Sequence, residues 1–249
     1  MSALLAIIPA RYASTRFPGK PLADIKGKSM IQRVYEQVGK ASRITGVVVA
    51  TDNLLIYDHV KAFGGNVVMT SEKHPSGTDR CYEALALQKE KFDYVINIQG
   101  DEPFIEPEQI DLLAGALNGD TEIATLAKRI TDADSLFNPN VVKVVFSKEG
   151  RALYFSRSPI PHQRNKPESD WPAHGIFYKH IGMYAYRSDI LERITQLPVS
   201  PLEAAESLEQ LRWLENGYSI TVMETHRESL GIDVPEDISK ALRYLGNGT

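Results

Sequence analysis

Within the first 98 residues, four short runs of β-branched and aliphatic side chains, residues 4–8, 46–50, 66–69 and 94–98, alternate with segments of helical period. Runs of this length without polar alternation fit strands covered on both faces, and strands separated by helices pair in parallel. Few folds accommodate that pattern. Met30, Ile31, Val34, Tyr35 and Val38 define a helix behind the capping box Ser29-x-x-Gln32. Residues 53–63 form the next helix, with Gly64-Gly65 as its stop. Ser76 caps a third, with Asp79 in its first turn, and Pro107 takes the first position of a fourth. After Ile123 the rhythm changes: residues 123–126, 141–146 and 152–155 are strand-like without full helices between them, so the sheet becomes mixed. Residues 161–175 read as an exposed loop or flap, 179–186 as a strand, and 188–196 and 201–216 as helices; Val222 ends a last strand and Pro235 opens a final helix. The expected architecture is α/β, an open α/β/α sandwich with a mostly parallel mixed sheet and its ligand at the carboxyl ends of the parallel strands. One domain over residues 1–249 is expected, with a subdomain within about 123–190.

Composition removes several function classes. A net charge of -4 gives no overall field for nucleic acid or a membrane surface, so neither partner is expected and any anion site has to be local. Cys81 is the single cysteine, which excludes an internal disulfide framework and fits a reducing compartment. The N-terminal apolar run is too short for a signal peptide, and no stretch approaches the roughly 18 apolar residues of a membrane span, so the expected location is cytoplasmic. Asn247-Gly248-Thr249 is read as a chance sequon.

The first run empties into Pro9-Ala10-Arg11-Tyr12-Ala13-Ser14-Thr15-Arg16-Phe17-Pro18-Gly19-Lys20-Pro21-Leu22. Two guanidinium groups and an ammonium on a restrained loop after a buried strand suit an anion such as a triphosphate; a solvated basic loop is the plainer alternative. Gly27-Lys28-Ser29 resembles the end of a P-loop, but Leu22 stands where its first glycine is needed, and no Gly-x-Gly-x-x-Gly follows the first strand. A second constellation, Gln99-Gly100-Asp101-Glu102-Pro103, places a carboxylate behind a buried strand, where it either holds Mg²⁺ or caps the helix at Pro107. Asp233, in Gly231-Ile232-Asp233-Val234-Pro235-Glu236-Asp237, is a second possible ligand or an ordinary helix-start aspartate. Further along, Arg157, His180, Tyr184 and the run Glu203, Glu206, Glu209, Gln210 and Arg212 combine a cation, an imidazole and carboxylates. Such a set suits an acidic, hydroxyl-rich sugar, or is a structural histidine beside a solvated helix face. His162, His174 and His226 lack ligand spacing, so no zinc site is assigned.

Taken together, the opening motif from Ile7 to Leu22 and Val49-Ala50-Thr51-Asp52, Ser76-Gly77-Thr78-Asp79-Arg80 and Asn97-Ile98-Gln99-Gly100-Asp101-Glu102-Pro103 carry a family resemblance. So do Ala152-Leu153-Tyr154-Phe155-Ser156-Arg157, His180-Ile181-Gly182-Met183-Tyr184 and Leu208-Glu209-Gln210-Leu211-Arg212. In this order, over nearly the whole chain, they resemble the 3-deoxy-manno-octulosonate cytidylyltransferases, the CMP-Kdo synthetases. The resemblance implies a nucleotide-diphospho-sugar transferase fold, Mg²⁺ dependence and a homodimer, with sugar binding and dimerisation assigned to the subdomain. It also implies transfer of CMP from CTP to the anomeric hydroxyl of Kdo, with release of pyrophosphate, for lipopolysaccharide synthesis. By position, Pro9, Ala10, Arg11, Lys20, Ser76, Gly77, Thr78 and Arg80 would bind the nucleotide. Gln99, Arg157, His180, Tyr184 and Glu209 would bind the sugar, and Asp101 and Asp233 the metal. Arg11, Lys20, Asp101 and Asp233 would carry catalysis. Activation of the sugar hydroxyl by the metal is favoured over a histidine base, with His180 positioning the sugar. Val234 stands where the family leads us to expect Thr. An amino-substituted Kdo or a sialic-acid-like sugar is the alternative acceptor. A non-catalytic nucleotide-binding module is the alternative class, disfavoured because the basic loop and the Asp pair are both present.

Overall fold

A computed structural model describes residues 2–13, 16–228 and 231–246. Ser14 and Thr15 of the opening motif and the Asn247-Gly248-Thr249 triplet lie outside the described residues. The chain forms two compact units, one of Met1–Ala114 with Ser229–Thr249, the other of Gly115–Glu228.

The first unit begins with β1 (Leu4–Ala10), a two-residue hairpin of β2 (Asp24–Ile25) and β3 (Lys28–Ser29), and α1 (Met30–Val38). Then come β4 (Gly46–Thr51), α2 (Leu54–Ala62), β5 (Val67–Met69), α3 (Gly77–Ala86), β6 (Tyr94–Asn97) and α4 (Pro107–Gly115). β1 pairs in parallel with β4 and with β6, and β4 in parallel with β5, as the alternating runs predict. Asn53 caps α2 through the N–H groups of Leu55 and Ile56, and Ser76 caps α3. The box at Ser29 is half formed: Ser29 accepts from Gln32 N–H, but the Gln32 amide turns to Glu36, whose carboxylate also takes Lys28. Ile25, Met30, Phe104, Ile232 and Ala241 make a buried cluster against which Phe17 packs, anchoring both the opening loop and the C-terminal segment.

In the second unit, β7 (Ile123–Ile130) is followed by α5 (Ala133–Phe137), β8 (Lys143–Phe146), β9 (Ala152–Ser156), α6 (Trp171–His174) and β10 (Phe177–Arg187). Next are α7 (Ser188–Ile194), α8 (Pro201–Glu206), α9 (Glu209–Glu215) and β11 (Ile220–Glu224). Here the pairing is mixed: β7 runs parallel to β11 and antiparallel to β10, and β8 pairs antiparallel with β10 and β9. This unit contains the whole of the 123–190 segment. The segment 161–175 is not all loop, because Trp171 is 4 % exposed and packs on Phe177 beside Ile130 and Leu136. The helix expected over 201–216 breaks in two at Ser207, whose φ of 51° is left-handed. A full capping box opens α8, with Ser200 and Glu203 exchanging side-chain and backbone bonds. Back in the first unit, α10 (Asp237–Gly246) starts two residues beyond Pro235, whose carbonyl accepts the turn bond from Ile238. Among the described residues no helix is long and apolar enough to cross a membrane.

Candidate active site

At the carboxyl end of β1, Pro9, Ala10, Arg11, Ala13, Arg16, Lys20, Pro21, Gln99, Gly100 and Asp101 line a cavity of about 430 Å³. The loop reaches it through Gly19, whose left-handed φ of 69° lets its N–H donate to the Tyr12 carbonyl at 3.0 Å and starts the turn carrying Lys20. Asp101 arrives from β6 by a close approach. A Cβ on Gly100 would lie 2.8 Å from the Pro9 carbonyl oxygen, so only glycine lets this strand end pass the loop.

The carboxylates that sequence alone could not bring together meet at one cation. Lys20 Nζ donates to Asp101 Oδ2 at 2.7 Å and lies 3.7 Å from Asp233 Oδ1, with Arg16 Nη2 at 3.5 Å from that same oxygen. Lys20 also donates to the Ile232 carbonyl at 3.1 Å, and Ile232 N–H donates to the Asp101 carbonyl at 2.9 Å. Ile232 itself is fully buried, so the segment carrying Asp233 is fixed by packing as well as by these bonds. Asp237, to which the sequence reading gave no role, accepts from the N–H groups of Asp233 and Val234. The Lys240 ammonium and these N–H groups hold the Asp237 carboxyl below its ordinary value. Val234 thus keeps its backbone part in the turn. The signal for Asp237 is its spacing of four from Asp233, at the first position of a helix.

Beside the cavity, Ser76 Oγ accepts from the N–H groups of Thr78 and Asp79 and donates to Asp79 at 2.6 Å. Arg11 Nη2 donates to the His74 carbonyl at 2.6 Å, and the His74 ring bonds Glu83. Burial alone would raise the Glu83 carboxyl, but His74 and the Ser71 N–H outweigh it and hold it below its ordinary value. Thr78 and Arg80 are buried at 2 % and 0 % exposure. Arg80 is therefore not brought to the cavity. Its Nη1 donates to Thr70 at 2.5 Å and its Nη2 to Asp52 at 2.6 Å, an arrangement that supports α3 from within.

The second unit holds the rest of the expected sugar set. Arg157 is tied to main chain: Nε donates to the Glu206 carbonyl at 2.7 Å, Nη1 to that of Pro139 at 3.0 Å and Nη2 to that of Ser207 at 3.3 Å. Glu206, one of a run of acids in the sequence, organises this corner by accepting from Ser156 Oγ and Arg157 N–H. Lys143, fully buried, was missed; it donates to the carbonyls of Asn138 and Val141, and burial pushes its ammonium below the usual value. Its alternation within an apolar run gave no signal. His180 and Tyr184 are brought together with ring centroids 5.1 Å apart, across a register shift in β10. His180 Nε2 pairs with Thr125 Oγ1 at 2.9 Å, and burial lowers its pKa to about 3, so the ring is neutral near pH 7. Burial, aided by the Glu209 charge, lifts the Tyr184 phenol well above its ordinary value. Glu203 and Arg212 make a two-pronged pair at 2.6 Å and are structural.

A buried-strand loop with three cations, and two carboxylates on one ammonium, equip the first unit to hold a polyphosphate with a hard cation. The chain is a cytidylyltransferase: a model of that family matches residues 5–229. A 3-deoxy-manno-octulosonate cytidylyltransferase from Parabacteroides distasonis is 59 % identical over 252 residues, covering 99 % of this chain and 100 % of that one. Another from Cytophaga hutchinsonii is 60 % identical over 94 % of each chain. The solved structure of a CMP:2-keto-3-deoxy-manno-octonic acid synthetase complexed with CTP superposes with a TM-score of 0.92 at 42 % identity, over 100 % of both chains. The protein belongs to the 3-deoxy-manno-octulosonate cytidylyltransferase family.

Proposed function

We propose that the protein transfers CMP from CTP to the anomeric hydroxyl of Kdo, releasing pyrophosphate and activating the sugar for lipopolysaccharide synthesis. The observation that carries this reading is the Lys20 ammonium shared by Asp101 and Asp233 behind a loop that also presents Arg11 and Arg16. An anionic sugar has to approach an anionic triphosphate, and these cations offset the repulsion and favour the departing pyrophosphate. Asp101 and Asp233 fit Mg²⁺, which takes one or two protein carboxylates when phosphate oxygens and water complete its shell. Bound there, Mg²⁺ would supply charge stabilisation at the reacting phosphorus and a lower pKa for a hydroxyl.

Pro9, Ala10, Ser76, Gly77 and Thr78 are assigned to the nucleotide, and Arg80 to the support of α3. Gln99, His180, Tyr184 and Glu209 are assigned to the sugar. An imidazole with a pKa of about 3 is too weak a base to take a hydroxyl proton near neutrality, which supports a positioning role for His180. Arg157, with its guanidinium on three carbonyls, is assigned the shaping of its loop. A cytoplasmic homodimer is proposed on the family resemblance. Incubating the purified protein with CTP, Mg²⁺ and, in turn, Kdo, 8-amino-Kdo and a sialic acid, and following pyrophosphate, tests the acceptor. Kdo is expected to give the fastest release; a faster rate with either other sugar replaces it as the acceptor.

A further inference from the structure

Two of the three cations at the cavity are set against carboxylates, Lys20 on Asp101 and Asp233, and Arg16 on Asp233. Arg11 is set against a main-chain carbonyl instead, that of His74. A carbonyl orients a guanidinium through a hydrogen bond and leaves its charge available to an anion, while a carboxylate in the same place would neutralise it.

The group that fixes this carbonyl lies further down α3. Glu83, in the second half of that helix, reaches back to the turn that precedes it: its Oε2 accepts from Ser71 N–H at 2.7 Å and from His74 Nε2. An ionised carboxylate only accepts, so Nε2 carries the hydrogen. Lys73 N–H closes the turn on Ser71 Oγ at 3.1 Å. Both ends of residues 71–74 are thereby tied to one carboxylate on a helix, and the carbonyl that takes Arg11 belongs to the residue whose ring is held. Arg11 lines the cavity and Glu83 does not, so anything Glu83 does there passes through His74. With its side chain 33 % exposed, Glu83 can be replaced without opening the core.

We infer that Glu83 is a positioning residue for Arg11: through His74 it holds the guanidinium at the phosphate end of the cavity, with its charge directed to the triphosphate. This rests on the functional reading above, because it takes a triphosphate as the ligand of Arg11.

The test is a double-mutant cycle on binding of inorganic tripolyphosphate, measured by calorimetry in Mg²⁺ buffer, with CTP titrated in parallel. Arg11→Met is expected to weaken tripolyphosphate about 10- to 100-fold, the loss of charge-assisted bonds. Glu83→Ala should weaken it about 5- to 10-fold, the loss of orientation in those same bonds. Glu83→Gln should weaken it by less than about 2-fold, because the amide oxygen still accepts from Ser71 and His74. In the Arg11→Met background, Glu83→Ala should cost nothing further, since its effect passes through Arg11. A turn that supports the fold without orienting Arg11 would lower affinity by the same factor in both backgrounds, and that result overturns the inference. Wild-type affinity in either Glu83→Ala or Arg11→Met overturns it as well. Wild-type protein that binds tripolyphosphate but not CTP overturns the functional reading, and the cycle on tripolyphosphate still decides the role of Glu83. If Glu83→Ala fails to fold, His74→Ala, which removes the ring and keeps the carbonyl, takes its place in the cycle.

Discussion

Turnover falls by about 10³-fold or more when Asp101 is replaced by Asn, and the protein stays folded. That loss corresponds to about 4 kcal/mol of transition-state stabilisation, of the size found when one preorganised electrostatic contact to a reacting group is removed. The amide keeps the shape of the carboxylate but not the charge that opposes Lys20 and would hold Mg²⁺. The Asp101 side chain is 30 % exposed, and its main-chain carbonyl still accepts from Ile232, so the segment has no reason to unfold. The check is kcat at saturating CTP, Kdo and Mg²⁺, beside a thermal melt. Near-normal Mg²⁺-dependent turnover would remove Asp101 from the chemistry.

Arg80→Met is expected to act on stability instead, costing about 3 to 5 kcal/mol. The substitution strips a fully buried guanidinium from Asp52 and Thr70, leaving a largely buried carboxylate without its cation, and breaking such a pair is more costly than never having had it. Adding Asp52→Leu should recover most of the loss, because it removes the stranded charge. Denaturant midpoints for the single and double variants measure both effects. A single-variant loss below about 1 kcal/mol, with a large rise in the KM for CTP, would show instead that Arg80 meets the nucleotide directly.

Much of the first unit is local physics and was legible as such. Asn53 and Ser76 are caps because short polar side chains ahead of a helical pattern have free N–H groups to accept from, and the apolar runs are buried parallel strands. Asp101 and Asp233 stood at loop positions in the sequence, but their meeting on Lys20 depends on its contacts with Asp101, 81 residues on, and with the Ile232 carbonyl beside Asp233, 212 residues on. Where several partners compete, pattern alone failed. Gln32 carried the spacing for a capping box, yet Glu36, one turn on, took its amide. The stretch 201–216 looked like one helix because nothing in its pattern marks Ser207, where the left-handed turn breaks it beside the carbonyls of Glu206 and Ser207 that bond Arg157. Trp171 was hidden in a polar segment, although a single large aromatic was enough to pin that segment to Phe177. Arg80, whose motif position suggested a ligand contact, is fully buried with Asp52 and Thr70 as its partners, and no spacing in the sequence pairs it with either.

Transfer of a cytidylyl group at the Lys20 site can be followed by ³¹P NMR of the protein with CTP, Kdo and Mg²⁺. The predicted result is a new phosphodiester resonance growing one for one with pyrophosphate, absent without Kdo. Pyrophosphate without the phosphodiester, or unchanged CTP, would contradict it.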